Sequence, residues 1–278
     1  MRVTLTIAGS DSGGGAGIQA DIKAMQAQGV FAASVLTAIT AQNTQAVTAA
    51  YELPTDLIAA QIDAVFDDLT VLATKTGMLS SSAIIETVAQ KVESLGITPL
   101  VVDPVMISKS GFALLKPEAV DTLKTRLLPL ATLATPNLHE AAHLVGREIR
   151  TRAEATEAAR EIQAMGPQAV LVKGGHLEDD ALATDVLFDG EQVHTFSAPR
   201  LDTRHTHGTG CTLASAIAAN LAKGYAMEAA CARAKKYLTE AIRHGLDIGH
   251  GHGPTHHFYF LQDLNRFPVD DRAAPPGS

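Results

Sequence analysis

The chain lacks tryptophan, and aromatic residues make up only 4% of its 278 positions. That scarcity argues against stacking platforms for bases or sugars. It has only two cysteines, Cys211 and Cys231, too few for a disulfide framework, so a reducing cytoplasm is the expected compartment. No apolar run reaches 18 residues, which excludes a membrane-spanning helix of ordinary length. The first residues, MRVTLTIAGSDSGGG, hold too short an apolar stretch for a secretory signal. Lysine and arginine are nowhere clustered and the formal net charge is −8, so a nucleic-acid partner is not expected. What is abundant is apolar side chain, 46% of the total, enough for a large buried core.

Short β-branched runs alternate with longer Ala/Leu/Ile segments of helical period. The pattern predicts strands near 3–8, 34–39, 70–75, 99–103, 131–135, 168–173, 184–188 and 192–196. Helices are predicted near 16–28, 55–67, 81–95, 117–126, 138–145, 152–165, 210–223 and 226–246. Ser80 and Thr151 are candidate caps, and Gly29, Gly96, Gly146, Gly166 and Gly224 are candidate stops. Such alternation predicts an α/β fold, a three-layer α/β/α sandwich with a mostly parallel central sheet. The last two strands, joined by Asp189-Gly190-Glu191, read as an antiparallel edge hairpin. No linker or repeat divides the chain, so one domain over 1–267 is expected, with a polar, Pro-rich tail at 268–278.

Ligands of open α/β sheets collect beyond the carboxyl ends of the strands. Six polar or Gly-rich elements fall there: Gly9–Gly17, Gln42-Asn43, Gly77-Met78, Asp103-Pro104, Pro136-Asn137 and Lys173-Gly174-Gly175. One shared cleft follows. The segment T206-H-G-T-G-C-T-L213 adds a Gly-punctuated turn opening into an Ala-rich helix, so free N–H groups and a positive helix end meet as an anion site. Gly208, Thr209 and Gly210 shape that turn, and a helix terminus of this kind is expected to favour the Cys211 thiolate. The arrangement suggests phosphate transfer.

Other elements carry two readings. The loop G9-S-D-S-G-G-G-A-G17 misses the dinucleotide fingerprint at Ile18 and lacks the G-K-[ST] of a triphosphate loop; it is either a tight crossover or a close approach to ligand. Asp21, one turn into the next helix, either faces the cleft mouth or complements the helix dipole. Asp103 and Glu140, with Asn137 nearby, suit Mg²⁺ shared with substrate phosphates, although Asp103-Pro104 is also a plausible turn and Asn137 a plausible cap. Lys173 is either a phosphate contact or a solvated loop lysine. The His-rich run G249-H-G-H-G-P-T-H-H257 lacks zinc-site spacing and reads instead as a flexible segment closing over the cleft.

Seven ordered motifs then become recognisable: A-G-S-D-S-G-G-G-A-G-I-Q-A-D (8–21), T-A-x-x-A-Q-N-T (37–44), K-T-G-M-L (75–79), V-D-P-V-M (102–106), T-P-N-L-x-E-A (135–141), V-K-G-G-H (172–176) and T-H-G-T-G-C-T (206–212). Over residues 3–262 the chain resembles the hydroxymethylpyrimidine/phosphomethylpyrimidine kinases of thiamine biosynthesis, in the ribokinase-like superfamily. The resemblance implies an ATP-dependent kinase acting on 4-amino-5-hydroxymethyl-2-methylpyrimidine and then on its monophosphate. It implies a pyrimidine pocket of Gly9, Asp21, Gln42, Met78 and Val105. It assigns Asp103, Asn137 and Glu140 to Mg²⁺ and phosphate organisation and Lys173 to ATP phosphates. The 208–211 turn becomes the anion hole with Cys211 as base, Lys109 sits in a flap near the phosphates, and a homodimer is expected. Two alternatives stay open: a pyridoxal kinase on the same scaffold, and a non-catalytic pyrimidine-binding module.

Overall fold

The computed structural model describes residues 1–108, 111–175, 177–178 and 181–261. Among the described residues, nine strands form one sheet: β1 (Val3–Asp11), β2 (Phe31–Gln42), β3 (Val47–Glu52), β4 (Val71–Thr76), β5 (Leu100–Val102), β6 (Leu133–Ala134), β7 (Ala169–Val172), β8 (Leu182–Phe188) and β9 (Val193–Pro199). Their spatial order is β3-β2-β1-β4-β5-β6-β7-β8-β9. The inner strands β2, β1, β4, β5, β6 and β7 run parallel, while β3 at one edge and β8–β9 at the other are antiparallel.

Side chains of successive strand residues point to opposite faces, so strands buried on both sides are apolar at most positions. In β5, Leu100 and Val102 join one core, and Val101 joins the other. The first core is closed by α2 (Thr55–Asp68), α3 (Ser82–Leu95), α4 (Ala119–Thr122), α5 (Leu138–Val145) and α6 (Arg152–Gln163). The second is closed by α1 (Gly17–Ala27), α7 (Thr209–Ala222) and α8 (Met227–Arg243). The three-layer α/β/α architecture follows from that split.

Caps set several of these helices. Asn137 accepts from the Glu140 amide at 2.9 Å while the Glu140 carboxylate accepts from the Asn137 amide at 2.8 Å, and Thr151 with Glu154 repeats this capping box on α6. Ser81 rather than Ser80 takes the cap position of α3. The helix expected over 117–126 begins at Ala119, with α4 passing into a π turn at Leu123–Leu127 and then a 3-10 turn at Leu128–Leu130. Strand β3 has no counterpart in the sequence reading. Only its first residue, Val47, is buried, so it carries no alternating pattern and is held by backbone pairing to β2. The expected tail at 268–278 lies outside the described residues. No helix among the described residues is long and apolar enough to cross a membrane.

Candidate active site

The carboxyl ends of the parallel strands and the amino end of α7 enclose a cleft of about 1020 Å³. β1 reaches Asp11, with a register shift between Ala8 and Ser10 that brings Gly9 to the cleft wall. A Cβ on Gly9 would stand 3.0 Å from Met78 Sδ, so a larger residue would push the Met78 side chain aside and narrow that surface. Gly9, Gln42, Met78 and Val105 all line the cleft.

Asp21 does not. Its carboxylate is fully buried beneath the wall, where it accepts from Lys75 Nζ at 2.9 Å, Thr6 Oγ1 at 2.6 Å and Ser215 Oγ at 2.7 Å. A buried carboxylate must be saturated with donors, and this one already is before any ligand arrives. The expectation that Asp21 faces the pyrimidine is therefore corrected: it anchors Lys75, a residue that borders the cleft with its side chain fully buried. Burial works against the Lys75 charge, but the neighbouring Asp21, together with Cys211 and Asp103, holds its ammonium well above the ordinary lysine value.

A second cluster joins the two glycine turns. Asp11 accepts from the amides of Gly13, Gly15 and Ala16 at 2.8–3.0 Å, and from His207 Nε2 at 2.9 Å. Burial opposes its charge, yet His207 and the Ala16 and Gly13 amides keep its carboxyl below the usual range. Gly208 has φ +77°, and a Cβ there would fall 1.8 Å from the Gly15 carbonyl oxygen. That contact explains the glycine more sharply than a general need for flexibility.

The third cluster is short of positive charge. Lys173 Nζ lies 2.7 Å from Asp103 Oδ1 and 3.9 Å from Glu140 Oε2, one ammonium between two carboxylates. Burial and the nearby Asp103 push the Glu140 carboxyl up to about 7, against the pull of Lys173. Although burial disfavours the Lys173 charge, Asp103 and Glu140 hold its ammonium above the ordinary value. Carboxylate oxygens with too little countercharge suit a hard divalent cation that shares its remaining positions with water and phosphate. Among the described residues, no three His, Cys, Asp or Glu side chains form a self-sufficient metal cage. A Mg²⁺ held here would thus need ligands from a phosphate. Asn137, expected to organise phosphate, lines the cleft but spends its side chain on capping α5.

The amino end of α7 presents Thr209, Gly210 and Cys211 to the same cleft. A Cβ on Gly210 would stand 3.3 Å from Lys173 Nζ, so the turn brings its backbone directly against the lysine. The surroundings of Cys211 work against the expected thiolate. Burial pushes the thiol up to about 11, with Asp21 and Asp103 adding to the effect and Lys75 opposing it. Desolvation and two carboxylates outweigh the helix terminus. The flap residue Lys109 lies outside the described residues.

Past this turn the cleft continues along β8, β9 and α8, where Ala183, Ala198, Leu201, Leu238 and Ile242 form an apolar wall beside the Asp185–Lys235 pair at 2.8 Å. The His-rich run is packed in place. His252 donates its amide to Thr44 O at 2.9 Å, and His257 Nε2 meets Thr212 Oγ1 at 3.0 Å, buried and pushed down to about 4 by desolvation.

Sequence reasoning missed Asp11, Lys75 and His207. A lysine inside a strand otherwise free of charge, V71-L-A-T-K-T76, was the available signal for Lys75. An aspartate heading a run of glycines was the signal for Asp11.

Comparison with known proteins bears directly on this geometry. A model of the phosphomethylpyrimidine kinase family matches residues 11–256. A hydroxymethylpyrimidine/phosphomethylpyrimidine kinase of Streptomyces coelicolor is 52% identical over 259 residues, 93% of this chain and 95% of that protein. The pyridoxal kinase of Bacillus subtilis, solved as an ADP complex, superposes with a TM-score of 0.86 at 41% identity, covering 92% of this chain and 97% of the other. A phosphomethylpyrimidine kinase structure from Clostridium difficile superposes with a TM-score of 0.78 at 45% identity, covering 87% and 100%. The chain belongs to the phosphomethylpyrimidine kinase family.

Proposed function

We propose that the chain transfers the γ-phosphoryl group of ATP to 4-amino-5-hydroxymethyl-2-methylpyrimidine and then to the resulting monophosphate, supplying the diphosphate used in thiamine assembly. One observation carries the reading. A single cleft opposes a small wall of Gly9, Gln42, Met78 and Val105 to a helix amino end and a buried lysine. The wall suits an aminopyrimidine, whose ring nitrogens and amino group need a carboxamide and apolar faces. The helix end suits a phosphoryl group passing between two oxygens.

In this proposal the amides of residues 209–211 and Lys173 stabilise the transferring group. The apolar wall along β8, β9 and α8 takes the nucleotide base. Mg²⁺, held through Asp103 and Glu140, would neutralise phosphate charge. With its thiol pushed up to about 11, Cys211 is protonated at neutral pH and orients the acceptor hydroxyl. As a thiol it has no vacant site for the hydroxyl proton, which passes instead to an oxygen of the transferred phosphoryl group as the new O–P bond forms and the bond to ADP breaks. Phosphoryl transfer relies mainly on positioning and charge neutralisation, so a weak base suffices. The monophosphate presents a phosphate oxygen instead of a carbon-bound hydroxyl, so its phosphorylation does not need Cys211. The proposal also takes 1–267 as one kinase domain, and the enzyme as a cytoplasmic homodimer.

Pyridoxal kinase activity is the second reading, favoured by the close superposition on the Bacillus subtilis enzyme. ADP release measured with each alcohol separates the two, and faster turnover of pyridoxal reverses the assignment. Pyrimidine binding without ATP turnover in magnesium would establish a non-catalytic module.

A further inference from the structure

The Gln42 carboxamide is held at both ends. Its Oε1 position lies 3.1 Å from Thr40 Oγ1, and its Nε2 position lies 3.4 Å from His207 Nε2. Oxygen and nitrogen of a carboxamide are interchangeable in shape, and the protons around them decide which is which. The Thr40 hydroxyl has one proton, and the Ser10 carbonyl, which can only accept, takes it at 2.8 Å. Towards Gln42 the Thr40 oxygen is therefore an acceptor and must face the amide NH₂.

The other end gives the same answer independently. Asp11 is an ionised acceptor, so His207 Nε2 carries a proton and donates it to Asp11 at 2.9 Å. A protonated Nε2 has no lone pair to accept from an amide NH₂, so the carboxamide oxygen is the group that fits opposite it, at 3.4 Å a secondary acceptor of the N–H already given to Asp11. The main chain of Gln42 is fixed as well, because Ser12 Oγ donates to its carbonyl and accepts from its amide, both at 2.8 Å. Gln42 thus points oxygen towards His207 and NH₂ towards Thr40. One lone pair and one N–H remain for a ligand.

We propose that His207 and Thr40 are specificity-determining residues, which set the polarity of the Gln42 carboxamide and through it the ring edge that the enzyme accepts. The inference rests on the reading that Gln42 meets the acceptor ring. An aminopyrimidine edge offers an amino donor beside a ring-nitrogen acceptor. The fixed carboxamide pairs the amino group on the His207 side and the ring nitrogen on the Thr40 side. The hydroxymethyl group sits on the carbon next to the amino-bearing one, so this orientation turns it towards the 208–211 turn. An inverted carboxamide would instead favour a ring whose edge carries a carbonyl and an N–H.

The 4-oxo analogue of the pyrimidine has that reversed edge, which makes it the probe. For wild type, kcat/KM is expected to favour the 4-amino ring at least about a hundredfold, since a mismatched edge leaves buried polar groups unpaired. In His207→Phe and in Thr40→Val one tether is gone and the amide can invert, so the ratio falls roughly tenfold or more. Thr40→Ser keeps the hydroxyl and restores the wild-type ratio. Thr40→Val is nearly isosteric, so it decides the matter alone should His207→Phe fail to fold. An unchanged ratio in the tether variants, with kcat/KM reduced in Gln42→Ala, overturns the inference and leaves the functional reading intact. Unchanged kcat/KM in Gln42→Ala instead removes the reading itself, and the inference with it.

Discussion

The polar groups under the acceptor wall and those at the phosphate end of the cleft are built on opposite terms. Asp21 receives three donors, Lys75, Thr6 and Ser215, and Asp11 receives four, three amides and His207. Two carboxylates at the phosphate end share one lysine, and a thiol there is held protonated. The first pattern builds a shape that does not change when ligand arrives. The second leaves a mismatch of charge that an incoming phosphate and its cation correct. Rigid recognition and reactive electrostatics are thus separated within a single cleft.

Breaking the satisfied side should have the largest effect. Lys75→Met strips the buried Asp21 of its countercharge and is expected to lower stability by about 3–5 kcal/mol, read from urea unfolding. Adding Asp21→Asn should recover part of that loss, and no recovery would mean that packing rather than charge holds the site. Gly208→Ala attacks the junction of the two sides. Its Cβ would collide with the Gly15 carbonyl, so kcat should fall about 10²–10³-fold on both acceptors while circular dichroism stays native.

Cys211→Ala sharpens the comparison, because it removes a group from the reactive side alone. Turnover of the alcohol should fall about 10²-fold, and turnover of the monophosphate far less. Equal losses would show that the thiol serves both transfers. The smallest effect concerns Glu140. Its folded carboxyl sits near 7, above the 4.5 of an ordinary glutamate, so the folded state holds the proton more tightly. The stability this contributes is fully present below about pH 4.5 and is lost as pH rises through 7. Glu140→Gln should remove that loss, gaining on the order of 2 kcal/mol relative to wild type at pH 8 without magnesium. A parallel decline of both proteins with pH would place the proton elsewhere.

The inner strands were legible because burial on both faces favours unbroken apolar runs, as in Leu100–Val102 and Ala169–Val172. Helix stops were legible where glycine takes positive φ, as at Gly96 and Gly146. Strand β3 was not, since an edge held by main-chain pairing leaves little trace in its side chains. Within the site, residues whose types suggest chemistry do reach the cleft, Asp103, Lys173 and Cys211 among them. Asp21 was misplaced because spacing along a helix gives no information on depth. The state of Cys211 was misjudged because the helix end was weighed without two carboxylates that come from distant strands and helices. The proton pattern around Gln42 depends on Thr40, nearby in sequence, and on His207, which is not.

That distance has a consequence for how the enzyme comes into being. Asp11 and His207 stand 196 positions apart, Asp21 and Ser215 194, and Thr44 and Gly251 207. The acceptor wall therefore remains unfinished until the last quarter of the polypeptide folds back onto the first. A chain still emerging from the ribosome can complete its inner strands yet bind no acceptor, and contacts of such long range are formed late and slowly. Ligand-binding competence is a property of the finished protein alone.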